Sequence, residues 1–182
     1  MSVTLNFTNN FYTYLSTIML SNSNAHGTMS DSGDPTTAKI FDKIVKTDGT
    51  NWTTDINTQN NYNALGFGKF NYMSFEFGSG TRAFDPADYA LQTKITSGLT
   101  ISFVGGHYVD TDNNAALDFT ITITNTTSAD IAINEIGIVK QIYSGYYFLA
   151  ARGVFDATLT IPANSTKTVT AKLTMPIATP SA

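Results

Sequence analysis

The chain has 182 residues, a formal net charge of −4, 13% charged and 12% aromatic residues, and no cysteine. That length suits one large domain, or one domain with an appendage, burying about 70% of its unfolded surface; the charge leaves no basic field for a nucleic-acid backbone, and disulfides and thiolate metal sites are excluded. Met1 to Asn10 has no basic segment followed by an apolar run, and no stretch approaches the ~20 apolar residues of a bilayer span, so the expectation is a protein folded in the cytoplasm with neither membrane nor nucleic acid as partner.

Threonine and asparagine stand where lysine, glutamate and arginine stand in an ordinary cytosolic enzyme. Threonine suits half-exposed strands and asparagine suits turns. Together with few charges and many aromatics, this describes a β-rich surface that neighbouring molecules can cover without stranding ions.

Val3, Leu5 and Phe7 alternate as in a strand, and Thr8, Asn9 and Asn10 then offer helix N-cap chemistry. Phe11, Leu15, Ile18 and Met19 fall at i, i+4, i+7 and i+8, predicting one amphipathic helix of roughly 10 to 13 residues that ends before Ser21-Asn22-Ser23-Asn24. Ser21 to Pro35 holds almost no large apolar group and reads as an exposed polar arm, the best internal boundary. The chain therefore divides into residues 1–38, carrying strand, helix and arm, and residues 39–182, the β domain. Ile40, Phe41, Ile44 and Val45 predict a strand or short helix before a turn at Asp48-Gly49, and Asn51 to Asn63 a surface loop in which Trp52 is a packing anchor or an interface residue.

Strand signals dominate beyond Phe70. Tyr72 to Phe77 ends at Gly78-Ser79-Gly80, and Leu99 to Val104 ends at Gly105-Gly106. Leu117, Phe119, Ile121 and Ile123 alternate with polar residues, which puts one face in a core. The apolar phase shifts between Ile131 and Ile133 on one side and Ile136 and Ile138 on the other, predicting a β-bulge near Asn134 and Glu135. Tyr146 to Ala151 is a further apolar run, and Ala157 to Ile161, a turn over Pro162 to Ser165, and Val169 to Leu173 predict an antiparallel hairpin. Five or more strands without intervening helices point to a mainly β fold, an antiparallel, jelly-roll-like β-sandwich with one short N-terminal amphipathic helix and a polar arm.

The search for reactive groups yields no catalytic, cofactor or metal residues. His26 and His107 lack companions at metal-ligand spacing. Asp110 to Asp118 begins like a calcium loop, but Ala115 stands where glycine is needed and Ile121 where the bidentate glutamate is needed, so an EF-hand is excluded and an Asx-rich turn is the simple reading. Gly78-Ser79-Gly80 is only a fragment of a nucleophile elbow, and Gly66-Phe67-Gly68-Lys69 lacks phosphate-loop spacing. Glu76, Asp85, Asp88, Asp118 and Glu135 could pair as acid and base only in a cleft that the sequence does not reveal. Exposed aromatics, among them Trp52, Tyr62, Tyr143, Tyr146 and Tyr147, leave a carbohydrate-binding alternative open.

One segment carries more than composition: Phe77-Gly78-Ser79-Gly80-Thr81, a spacer, then Asp85-Pro86-Ala87-Asp88-Tyr89-Ala90-Leu91. It resembles a pattern common in structural proteins of tailed bacteriophages, whether head-associated, fibre-like or tail-associated. Similar pieces follow in order at Leu117 to Thr124, Ile133 to Ile138, Phe148 to Arg152 and Leu159 to Val169. The resemblance implies a virion location and a non-enzymatic role as capsid decoration, auxiliary or head-fibre-type component, with a tail or neck component as alternative. It also implies contacts with copies of itself, as homo-oligomers and trimers first, and with major capsid or other virion proteins. Read physically, Gly78 and Gly80 would permit positive φ, Asp85-Pro86 would start a turn capped by Asp88, Tyr89 and Leu91 would return to the core, and Arg152 would pair with Glu135 across neighbouring strands.

Overall fold

A computed structural model describes residues 1–14, 37–38, 44–51, 56–57, 73–111, 114–143 and 146–176, with the backbone path alone described for 37–38, 56–57, 106–111, 114–115, 142–143, 146 and 175–176. The described residues are mainly β, with one short helix. The strands are β1 (Ser2–Phe7), β2 (Thr37–Ala38), β3 (Ile56–Asn57), β4 (Met73–Gly78), β5 (Leu99–Thr111), β6 (Asn114–Asn125), β7 (Ile131–Tyr143), β8 (Tyr146–Ile161) and β9 (Thr166–Pro176). β2 and β3 form a small antiparallel pair, and the others join in one sheet of order β4-β7-β8-β1-β9-β6-β5.

Six adjacent pairs link that sheet. The expectation of a wholly antiparallel arrangement fails at one of them, because β1 runs parallel to β9. Ser2 to Leu5 of β1 pair with β9, while Asn6 and Phe7 pair with β8. β1 therefore joins one half of the sheet to the other and bends the whole nearly into a barrel. The end strands approach through Phe75 of β4 and Phe103 of β5, whose ring centroids lie 5.0 Å apart, edge to face. Val3, Leu5, Phe77, Phe119, Ile121, Ile123, Ile133, Ile136, Ile138, Ala171 and Leu173 are all buried in the single core enclosed this way.

The predicted bulge is present: the β7/β8 register shifts between Ile133 and Glu135. It turns Ile136 and Ile138 to the same core as Ile133, which the phase change in the sequence required. Gly105-Gly106 does not end a strand. β5 runs on to Thr111 through a register shift between Val104 and His107, since a glycine pair in an edge strand accommodates a bulge as readily as a stop. β8 likewise continues unbroken to Ile161. It crosses β1 at Gly153, where a methyl group would collide with the backbone oxygen of Thr4.

The expected hairpin between residues 157 and 173 is instead an arch. After Pro162 to Ser165 the chain passes from β8, paired with β7 and β1, to β9, paired with β1 and β6, and β8 and β9 are not neighbours. Two features hold the arch: Asn164 in the left-handed region at φ 52°, which asparagine tolerates, and Asn125, whose amide donates to the carbonyls of Ala129, Ile161 and Pro162 at 2.8, 3.0 and 3.1 Å.

Helix α1 begins where the cap signals place it and is described over residues 9–14; Leu15, Ile18, Met19 and the polar arm lie outside the described residues. The Thr8 carbonyl accepts the first helical N–H bonds, whereas its hydroxyl donates to the Leu149 carbonyl at 2.6 Å. The Asn10 side chain both donates to and accepts from the Val45 backbone, at 2.8 and 2.9 Å, so it acts as one more rung of strand and ties the 44–51 turn to α1. That turn has Gly49 at φ 81° and an Asp48 carboxylate taking the Thr50 N–H and hydroxyl, bonds that hold the carboxyl below its usual range. β1 stands at the centre of the sheet, between β8 and β9, so the first seven residues complete the main core.

Tyr14 is buried against Phe148, with ring centroids 5.2 Å apart. Burial disfavours its phenolate and pushes its pKa up from 10.0 to about 12. The protonated form is the one the fold favours, so stability should be fully present below pH 10 and should decline as the pH rises from 10 toward 12. Urea unfolding across that window checks it, since Tyr14→Phe should flatten the alkaline decline; an equally steep decline in the variant would contradict the assignment.

Candidate functional site

The segment between β4 and β5 folds as a flap, residues 79–95, over the outer face of β7 and β8. Its base is closed by a Gly78/Lys94 bridge, by the Ser79 N–H on the Thr93 carbonyl at 2.9 Å, and by Lys94 Nζ on Glu76 Oε1 at 2.6 Å. Leu91 of the flap is buried with Val139 and Leu149, a second small apolar cluster on the far side of the sheet from the main core. Gly137 makes room for it, because a methyl group there would press on both Leu91 and Leu149.

Beside this cluster lies a buried charge network. The predicted pair is present: Arg152 Nε and Nη2 each reach Glu135 Oε2 at 2.8 Å, with both side chains fully buried. Arg152 Nη1 donates to Asp88 Oδ2 at 2.9 Å and to the Ala83 carbonyl at 3.3 Å, and Nη2 donates to the Arg82 carbonyl at 2.9 Å. Glu135 accepts the backbone N–H groups of Gly80, Gln92 and Thr93 at 3.1, 3.0 and 2.8 Å. Asp88 also accepts the Asp85 N–H and pairs with Arg82, whose guanidinium it holds above the ordinary value. Two carboxylates and two guanidiniums balance, and each buried charge meets several partners, the condition under which buried ions are tolerated.

The resemblance-bearing residues thus form a clamp. Gly78 and Gly80 do not use positive φ; Gly49 and Gly98 are the described glycines that do. Their role is proximity, since a side chain at either would collide with the Glu135 carboxylate. Asp85-Pro86 does start a turn, with the Asp88 N–H on the Asp85 carbonyl at 2.8 Å. Leu91 is buried as expected, but Tyr89 is 45% exposed.

Among the carboxylates that might have paired as acid and base, Glu135 and Asp88 do come together, but Arg152 lies between them and consumes both. Glu76 is taken by Lys94. Asp118 sits on β6, its Oδ1 buried without a hydrogen-bond partner. His107 has its backbone opposite Asp118, and His26 lies outside the described residues. Among the described residues no group of three or more His, Cys, Asp or Glu could hold a metal. Of the aromatic platforms, Tyr147 is 41% exposed, Trp52 and Tyr62 lie outside the described residues, and Tyr143 and Tyr146 are described in backbone only.

Sequence reasoning missed a cleft of about 460 Å³ that opens beside the clamp. β1 and β8 form its floor and the flap, through Thr81, Ala83 and Phe84, one wall. Arg152 sets that wall in place by holding the carbonyls of Arg82 and Ala83. Among the described residues no helix is long and apolar enough to cross a membrane. Compared with protein-family models, curated proteins and solved structures, the chain matches none of them.

Proposed function

We propose that this chain is a non-enzymatic structural module of a tailed-phage particle, a capsid decoration, auxiliary or head-fibre-type component that works through contacts with its own copies and with other virion proteins. The observation that carries the reading is the use of charge: among the described residues the buried cluster of Arg82, Asp88, Glu135 and Arg152 is saturated internally and holds the flap on the sheet, leaving no carboxylate in it for chemistry. Two further observations support it. Strand β5 pairs only with β6 among the described residues and leaves Val104 74% exposed on this edge of the sheet, the kind of surface that contacts between subunits cover. The phage-like segment coincides with the clamp, so the resemblance falls on residues that build the scaffold. Within this reading the two halves that share β1 serve as a jelly-roll-like sandwich. Light scattering on the purified protein should give a homo-oligomer, and mass spectrometry should find the chain in purified particles; a monomer absent from particles would refute the proposal.

A further inference from the structure

The cleft beside the clamp differs from the clamp in one chemical respect. Every charged group of the clamp is bonded within the molecule, whereas the polar side chains lining the cleft, Ser2, Thr4 and Asn6 of β1, Thr81 of the flap and Asp156 of β8, have no hydrogen-bond partner among the described residues. Three hydroxyls, an amide and a carboxylate thus face one space with their bonding capacity unspent. Half-buried Phe84 adds an apolar surface, and no Lys, Arg or His lines the cleft.

These features select among ligands. With one carboxylate and no cation the cleft disfavours anions. Along the floor β1 is bonded to one neighbour at a time, Ser2 to Leu5 with β9 and Asn6 and Phe7 with β8, which leaves a peptide strand only the short edge of Ser2 to Leu5 to register on, so recognition falls mainly to side chains. A volume of about 460 Å³ lies within the ~300–1,000 Å³ usual for small-molecule sites. A neutral molecule with many hydroxyls and an apolar ring face meets all these conditions: carboxylate and amide groups can each bond two neighbouring hydroxyls, and an aromatic ring packs against the C–H face. The wall is also fixed before any ligand arrives, since Arg152 pins the carbonyls of Arg82 and Ala83 and so places Thr81 and Phe84 on either side of them.

We propose that this cleft binds a neutral saccharide of one or two rings, with Asp156 and Asn6 reading hydroxyls and Phe84 taking the ring face. The site stands independently of the assembly reading above.

The test is a nitrogen-15 chemical-shift titration of the whole chain with maltose, cellobiose, lactose and di-N-acetylchitobiose, with calcium chloride and ethylamine as separate probes. At least one disaccharide should give saturable shifts at Thr4, Asn6, Thr81 and Asp156. Asp156→Ala and Asn6→Ala each alter an exposed side chain with no hydrogen-bond partner among the described residues, and each should weaken binding about tenfold. No saturable shift with any of the four sugars, shifts confined to other residues, or a response to calcium or the amine alone would each overturn the proposal.

Discussion

Replacing Arg152 with alanine should destabilise the fold by about 3–5 kcal/mol, the cost of removing one partner from a buried ion pair. Arg152 is fully buried, and its loss strands two carboxylates, Glu135 and Asp88, together with the carbonyls of Arg82 and Ala83. For a chain of this size each kcal/mol moves Tm by about 2–4 °C, so thermal unfolding should fall by roughly 6–20 °C. Arg152→Lys should recover little, because four acceptors surround a planar fork that one ammonium cannot span. Glu135→Ala combined with Arg152→Ala should cost clearly less than the sum of the two, the signature of direct coupling. Below the transition the oligomeric state of Arg152→Ala should match the parent, since the residue touches no outer surface. An unchanged Tm would show that the clamp contributes nothing.

The same cluster shows what a linear reading can and cannot reach. Glu135 and Arg152 were legible as a pair because their strands were predicted neighbours and each charge stood alone in an apolar run. The bulge at Ile133/Glu135 was legible because a one-residue phase change has few other causes. Partner choice was not legible. Alternation in Ala157 to Ile161 and in Val169 to Leu173 fixes which side chains face the core, but the same alternation serves a hairpin and an arch equally well. The parallel β1/β9 pairing was hidden for the same reason, as residues about 170 apart in sequence met at a register that no local pattern encodes. Gly78 and Gly80 looked like turn glycines, yet their requirement comes from the Glu135 carboxylate more than fifty residues away. The cleft was least legible of all, since its floor and wall come from three separate stretches of chain, each reading singly as an ordinary strand or loop.

Asn125 at the arch gives the second large effect, and for an aspartate variant its size depends on pH. The side chain is fully buried; its two N–H donors serve three carbonyl oxygens, while its Oδ1 accepts the Thr127 N–H and hydroxyl at 2.9 and 2.8 Å. Asn125→Ala removes these bonds and leaves the Ile161 carbonyl short of a donor inside the protein, which should cost about 2–3 kcal/mol. N125D keeps the shape but turns the donor edge into an acceptor, so that an ionised carboxylate would face the oxygens of Ala129, Ile161 and Pro162. At neutral pH it should therefore cost more than the alanine variant, about 3–5 kcal/mol. Protonation restores one donor, and the fold consequently raises the pKa of the introduced acid above its unfolded value of about 3.9. A group shifted upward favours folding below its unfolded pKa and loses that contribution as pH rises through the folded one. Urea unfolding of N125D should thus show stability close to that of the parent near pH 4 and a steady loss toward neutrality, while Asn125→Ala and the parent keep a constant gap. If N125D were as stable as the parent at neutral pH, the three carbonyls would not be held by this amide, and the arch between β8 and β9 would need another anchor.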